Sequence, residues 1–114
     1  MNPYNQENIV AIATPPGIGA LAVVRLSGTN LKSLYKDFTH KDPKNRMASF
    51  TKFYHPKKNI VLDEVIATYF KSPNSFTGED MIEISCHGGE TVKNSIVLAA
   101  LDSNVRLANP GEFS

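Results

Sequence analysis

The sequence predicts an α+β domain in which a mixed or antiparallel sheet carries two helices, in the order β-β-α-β-β-β-α-β. Short runs with an apolar residue at every second position recur between turns rich in Pro and Gly, which indicates strands. Two other segments repeat apolar residues at three- and four-residue intervals, which indicates amphipathic helices. The length of 114 residues is typical of one domain, and 41% apolar with 20% charged residues is typical of a globular chain. We therefore expect one domain over residues 1–114.

The first three elements precede residue 40. The apolar run Ile9–Ala13 predicts a buried strand, which ends at a turn containing Pro15-Pro16-Gly17. Ala20–Ser27 predicts a second strand, because one of its faces is wholly apolar and the other carries Arg25 as its only charge. After capping residues in Ser27-Gly28-Thr29, an apolar stripe predicts the first helix; its residues are Leu31, Leu34, Tyr35 and Phe38.

The second half predicts three strands, a helix and a last short strand. These elements are Ser49–His55, Val65–Phe70, Met81–Cys86, Glu90–Leu101 and Val105–Ala108. The inner side of the predicted helix carries Val92, Ile96, Ala99 and Ala100. Glu83 is the only charge on its face of the third of these strands, as Arg25 is on its own strand.

The charge is unevenly distributed along the chain. Residues 32–58 contain eight Lys and Arg against two Asp, a net charge of +6, whereas the whole chain has a net charge of only +1. Such a segment is typical either of a nucleic-acid contact or of a solvated helix face and loop. No aromatic-interleaved motif is recognisable in the linear sequence, which favours the solvated surface.

Several familiar chemistries are excluded or left open by the motifs. A strand follows the glycines of Gly17–Ala22, so this is not a dinucleotide-binding turn, and no phosphate-binding loop pattern exists. Cys86 is the single cysteine, which excludes an internal disulfide and favours a small core residue over a metal ligand or catalytic thiol. Gly88-Gly89 before a helix predicts either a plain turn or a close approach of ligand to backbone.

Arg25 and Glu83 are the residues of greatest interest. A lone charge on an apolar strand face is costly unless it is paired or bound to a polar ligand. The alternative is an exposed face of an antiparallel sheet, where charges are common. The residues alone favour that alternative.

Four motifs in order make the chain similar to the N-terminal domain of the MnmE or TrmE family of tRNA-modification GTPases. The motifs are Ile9–Gly17, Val24–Gly28, Pro73–Asp80 followed by Glu83 and His87–Gly89, and Arg106–Ser114. The family usually has R-G-G after Pro15-Pro16-Gly17, where this chain has Ile18-Gly19-Ala20, so no ligand role is expected there. The helical and GTPase domains of the family, and a lysine downstream that helps to bind folate, are absent from this chain. We therefore expect it to be a fragment.

The resemblance implies a fold similar to tetrahydrofolate-binding domains of the aminomethyltransferase type. It implies binding of 5-formyltetrahydrofolate or a related folate, a homodimer, and a flavoprotein partner called MnmG or GidA. Full-length members modify carbon 5 of the wobble uridine of tRNA with a (carboxymethyl)aminomethyl-type group. GTP, Mg²⁺ and K⁺ belong to the missing GTPase domain, so this fragment is not expected to be catalytic alone.

Residue by residue, the family's folate-contacting arginine matches Arg25 and its glutamate matches Glu83, and His87, Gly88 and Gly89 are expected to line the same pocket. We expect no catalytic residue and no metal ligand in this chain.

The alternative is a scaffold that dimerises and contacts tRNA through residues 32–58, without a small-molecule site. A stand-alone aminomethyltransferase is disfavoured by the short length. No apolar run is long enough to span a membrane, and the cytoplasm is the expected location.

Overall fold

The fold was determined as a computed structural model, which describes residues 8–13, 20–73 and 78–113. Eight elements occur within these ranges: β1 (Ile9–Ile12), β2 (Leu21–Gly28), α1 (Leu31–Thr39), β3 (Ser49–Tyr54), β4 (Val61–Phe70), β5 (Asp80–His87), α2 (Glu90–Leu101) and β6 (Arg106–Leu107). The predicted class and the predicted order of elements are confirmed. β4 begins at Val61, four residues before the predicted strand, and the predicted turn at Pro15-Pro16-Gly17 lies outside the described residues.

The six strands form one mixed sheet in the order β3-β4-β5-β2-β1-β6. Neighbouring strands are antiparallel, except that β6 lies parallel to β1. β5 and β2 are therefore central strands, whereas β3 and β6 form the two edges of the sheet as described. This order places the two strands that carry Arg25 and Glu83 beside each other.

One face of the sheet packs against both helices and forms the core. The alternation predicted for the strands is confirmed, because the apolar partners on this face are buried; they include Ala22, Val24, Leu26, Phe53, Val65, Ala67, Ile82, Ile84 and Cys86. α1 buries its predicted stripe, together with Thr39. α2 buries Ile96, Ala99 and Ala100 as predicted, but Lys93 and Val97 are also buried and Val92 is only half-buried.

The start of α1 differs from the prediction. Ser27 and Gly28 still belong to β2, and the N-cap residue Asn30 has a left-handed backbone and makes no side-chain cap. The carboxylate of Asp80, distant in sequence, instead accepts the N–H of Leu31 at 3.2 Å. A helix start leaves N–H groups without intrahelical partners, and here a strand of the sheet supplies the acceptor.

Asp80 also joins β4 to β5. Its side chain accepts hydrogen bonds from the Ser72 N–H at 3.0 Å and from the Tyr69 hydroxyl at 3.0 Å. Burial by itself would raise the pKa of Asp80, but these hydrogen bonds and the one from Leu31 outweigh burial and hold the pKa below its ordinary value. Burial, together with the hydrogen bond to Asp80 and the charge of that carboxylate, raises the pKa of Tyr69 to about 12.

Candidate functional site

Arg25 and Glu83 lie opposite each other at the centre of the sheet. They are cross-strand partners between β2 and β5, and the Arg25 Nε donates to Glu83 Oε2 at 2.9 Å. Both side chains point away from the helices, because their strand neighbours on either side belong to the core. The side chains are 37% and 30% exposed. The structure therefore brings together the two charges that the sequence singled out, on one accessible face.

This ion pair leaves hydrogen-bonding capacity on both partners. A guanidinium has five N–H groups and a carboxylate has two oxygens. Among the described residues, the Nε–Oε2 contact is the only hydrogen bond made by the side chain of Arg25 or of Glu83. The N–H groups on the Nη atoms of Arg25 and the second oxygen of Glu83 can therefore meet an external polar group.

Apolar and hydroxyl side chains flank the ion pair on the same face. Thr68 of β4 is the cross-strand partner of Glu83. In the next row, Val23, Ser85 and Ile66 are aligned across β2, β5 and β4, and Ile66 is 44% exposed. A partly apolar surface beside two opposite charges offers apolar contact to a heterocycle and charged hydrogen-bonding groups to its polar edges.

His87 lies on this face but does not reach the ion pair. It is four residues beyond Glu83 on β5, which corresponds to roughly 13 Å along a strand. Asp63 of β4 accepts the N–H of His87 at 2.9 Å, and its carboxylate lies 2.8 Å from the ring Nδ1. Because a carboxylate is an acceptor, Nδ1 carries the proton. Asp63 was missed, since the predicted strand began at Val65.

Gly88 and Gly89 connect β5 to α2. The Gly88 N–H donates to the Ala20 carbonyl at 3.1 Å, and Gly89 is the N-cap residue of α2 with an extended backbone. A Cβ added at Gly89 would meet nothing within 4 Å. Gly89 is thus required neither by its backbone angles nor by packing, and the space above it is open.

Cys86 is a core residue. It is 1% exposed, and burial raises the pKa of its thiol, with a further contribution from the charge of Asp63.

In the part of the chain that the structure describes, no group of three or more His, Cys, Asp or Glu side chains is arranged to hold a metal ion. No helix among those residues is both long and apolar enough to cross a bilayer.

The fold and the site define an α+β domain with a two-helix layer on one face and a central Arg–Glu pair on the other. The sequence profile described as "GTP-binding protein TrmE N-terminus" matches residues 8–114, and the chain belongs to this family. It is 46% identical over 112 residues to a protein of Aliarcobacter butzleri named tRNA modification GTPase MnmE, a match that covers 97% of this chain and 25% of that protein.

Other relatives carry the same description. The similarly named protein of Nitrosomonas eutropha is 46% identical over 110 residues, covering 96% of this chain and 24% of that protein. The mitochondrial tRNA modification GTPase mss1 of Schizosaccharomyces pombe is 44% identical over 109 residues, covering 93% of this chain and 22% of that protein. The chain thus corresponds to the N-terminal domain of these GTPases and spans about a quarter of their length.

Proposed function

We propose that this domain binds a reduced folate of the 5-formyltetrahydrofolate type on the face of the sheet opposite the helices. The observation that carries the proposal is the pair of opposite charges, Arg25 and Glu83, held side by side on an accessible and partly apolar face. The folate, when bound, supplies a one-carbon unit. The residues of this chain bind and orient it.

The donor set of the site fits such a ligand. A pterin ring presents an exocyclic amine and a ring N–H side by side, and the carboxylate of Glu83 can accept both. Hydrogen bonds to an ionised group are roughly twice as strong as neutral ones. The planar fork of Arg25 suits a carboxylate or carbonyl oxygen of the same ligand. The apolar surface around Ile66 and Val23 would contact the flat part of the ring.

His87, Gly88 and Gly89 form a second, outer part of the proposed site. His87 presents its ring at the end of β5, where its Asp63 partner fixes the ring orientation. The open space above Gly89 allows a ligand to approach the start of α2, where N–H groups lack intrahelical partners. Because His87 lies roughly 13 Å from Glu83 along the strand, we assign it to a distal portion of an extended ligand.

In the whole protein, we propose that this domain serves a tRNA-modifying GTPase that acts in the cytoplasm as a homodimer. With the flavoprotein MnmG, that enzyme would install an aminomethyl-type group on carbon 5 of the wobble uridine. Membership of a family whose matched proteins are named tRNA modification GTPases supports this assignment. GTP, Mg²⁺ and K⁺ would bind in the GTPase domain of the whole protein.

Calorimetric titration with 5-formyltetrahydrofolate tests the folate site. We expect saturable binding, at least about tenfold weaker in Glu83→Gln and in Arg25→Gln, because each loses hydrogen bonds to a charged group. Glu64→Gln is the matched control, since Glu64 of β4 is an exposed carboxylate on the same face of the sheet as Glu83. No binding at millimolar folate, or equal binding by Glu83→Gln, would refute the proposal.

Sedimentation velocity on the same samples tests the homodimer, for which we expect twice the mass of one chain. A folate-free dimer that binds tRNA with a steep salt dependence would instead support the alternative, a scaffold without a small-molecule site.

A further inference from the structure

The outer edge of β3 carries a cluster of basic and aromatic side chains, here called the edge cluster: His40, Lys41, Phe50, Lys52 and Tyr54. A cavity of about 240 Å³ lies at this edge, and residues before, within and after β3 line it: Thr39, Lys41, Phe50, Thr51, Lys52, Tyr54 and Glu64. β3 is the terminal strand of the sheet as described, so the cavity opens at a sheet edge.

The aromatic members of the cluster offer flat surfaces. The rings of His40 and Tyr54 are stacked with centroids 3.7 Å apart and an angle of 15° between their planes. Phe50 is 68% exposed, more than any other large apolar residue that the structure describes. An exposed ring of this kind is costly to leave in water and is suited to stacking against another flat group.

The basic members supply charge beside these rings. Lys41 and Lys52 are both exposed, and neither forms an ion pair with another described residue. Glu64, the cross-strand partner of Lys52, is the acidic residue of the cavity. The position of Lys52 between Phe50 and Tyr54 is visible in the sequence, but only folding brings Lys41, which follows α1, to the same cavity.

Rings for stacking beside cations for phosphates are the features by which proteins hold single-stranded nucleic acid. A protein partner fits the same features less well. Lysine is depleted at protein–protein interfaces, and lysine on an edge strand opposes the addition of another strand.

We propose that the edge cluster binds single-stranded RNA, with a base stacked on Phe50, a second base near the His40–Tyr54 stack, and phosphates contacted by Lys41 and Lys52. The identification of that RNA as a loop of the tRNA substrate rests on the proposed function. The contact surface itself rests only on the side chains at the β3 edge.

Fluorescence anisotropy with a labelled single-stranded RNA heptamer, and with a duplex of the same length, tests the proposal at several KCl concentrations. We expect the single strand to bind more tightly than the duplex. Phe50→Ala should weaken binding by about tenfold at every KCl concentration, because stacking is lost without a change in charge. Lys41→Ala/Lys52→Ala should lower the slope of log affinity against log salt by about 1.4, since each phosphate contact contributes about 0.7.

The matched control is Lys32→Ala/Lys71→Ala, which removes two charges from exposed lysines outside the cluster. It should leave the salt slope nearly unchanged. The proposal is overturned if the control and the cluster variants lose equal affinity for RNA, or if the duplex binds as well as the single strand. It is also overturned if Phe50→Ala changes only the mass measured by sedimentation, because the edge would then be a contact with protein.

Folate titration of the Lys41→Ala/Lys52→Ala variant separates this proposal from the proposed function. The edge cluster and the Arg25–Glu83 pair share no residue. A variant that loses RNA binding but still binds folate supports two independent sites. If the unaltered chain binds RNA but no folate, the folate proposal alone is refuted.

Discussion

Arg25 and Glu83 are direct cross-strand partners at the centre of the sheet, and a 2.9 Å hydrogen bond joins their side chains on the face that the helices leave free. Directly behind the pair, the core side of the same two strands is apolar, with Val24, Leu26, Ile82 and Ile84 buried. The pair therefore lies on a rigid platform, and its exposure leaves both groups accessible to a ligand.

The pair should contribute little to stability. Both side chains are about one-third exposed, and exposed ion pairs contribute about 0–1 kcal/mol. We expect Glu83→Gln to lower the free energy of unfolding by less than about 1 kcal/mol, measured by urea denaturation. The double variant Arg25→Gln/Glu83→Gln serves as control for the charge left unpaired. Unfolding of Glu83→Gln at neutral pH would mean that the pair is structural.

Asp80 should make stability depend on pH in the acid range. Its pKa in the folded protein is lowered, so its contribution to stability is complete above its ordinary pKa of about 4 and is lost as the pH falls through the lower folded value. We expect Asp80→Asn to be less stable than the unaltered chain at pH 7, with a difference that shrinks towards pH 2. Urea unfolding at both pH values measures it. A difference that does not vary with pH would contradict the role of the ionised carboxylate.

His55 should connect the β3–β4 turn to the end of α2. Its Nδ1 accepts the N–H groups of Lys57 at 3.1 Å and Lys58 at 3.2 Å, so Nε2 carries the proton and donates to Asp102 at 3.0 Å. The residue is 6% exposed. We expect His55→Ala to lower the free energy of unfolding by about 1–2 kcal/mol, because the part-buried N–H groups of Lys57 and Lys58 lose their acceptor.

Two measurements control the His55 prediction. Asp102→Asn keeps an acceptor oxygen and should cost less than about 1 kcal/mol. Nitrogen-15 NMR of the His55 ring should report the Nε2–H tautomer, and observation of the Nδ1–H tautomer at neutral pH would contradict the arrangement.

Gly28 should tolerate no side chain. A Cβ at this position would lie 1.9 Å from Asn8 Oδ1 and 2.9 Å from the Asn8 Cα, so a backbone shift is needed to admit it. We expect Gly28→Ala to lower the free energy of unfolding by about 2 kcal/mol. Gly89→Ala is the matched control, because nothing lies within 4 Å of the added Cβ, and it should cost less than about 1 kcal/mol. Equal losses in the two variants would refute the steric explanation.

Much of the fold was predictable from local pattern. α2 has the predicted bounds, and the stripe from Leu31 to Phe38 faces the core as predicted. The start of α1 was not predictable, because Asp80 of β5, about 50 residues further along the chain, accepts the N–H that a local cap would otherwise take. The burial of Lys93 was also missed, because the packing of α2 on the sheet decides it, whereas the partner of its ammonium group, Glu90, is local and exposed.

The candidate site, like the fold, was predictable from the sequence only in part. The sequence identified Arg25 and Glu83 as isolated charges, but it contained nothing to establish that they share one face or touch each other. The partner of His87 was missed because Asp63 precedes the predicted start of β4. The contact of His40 with Tyr54 was missed because rings that stack across a helix end and an edge strand leave no periodic pattern.

Side-chain periodicity and turn residues depend on neighbours a few positions apart, and they were enough to specify the α+β class, the order of the elements and the apolar faces. The strand order β3-β4-β5-β2-β1-β6 depends on hydrogen bonds between segments far apart in the chain. That order placed Arg25 against Glu83, and the packing of α1 against β3 brought Lys41 to the aromatic edge. Both contacts required the tertiary structure, because the residues that meet are separated in the sequence.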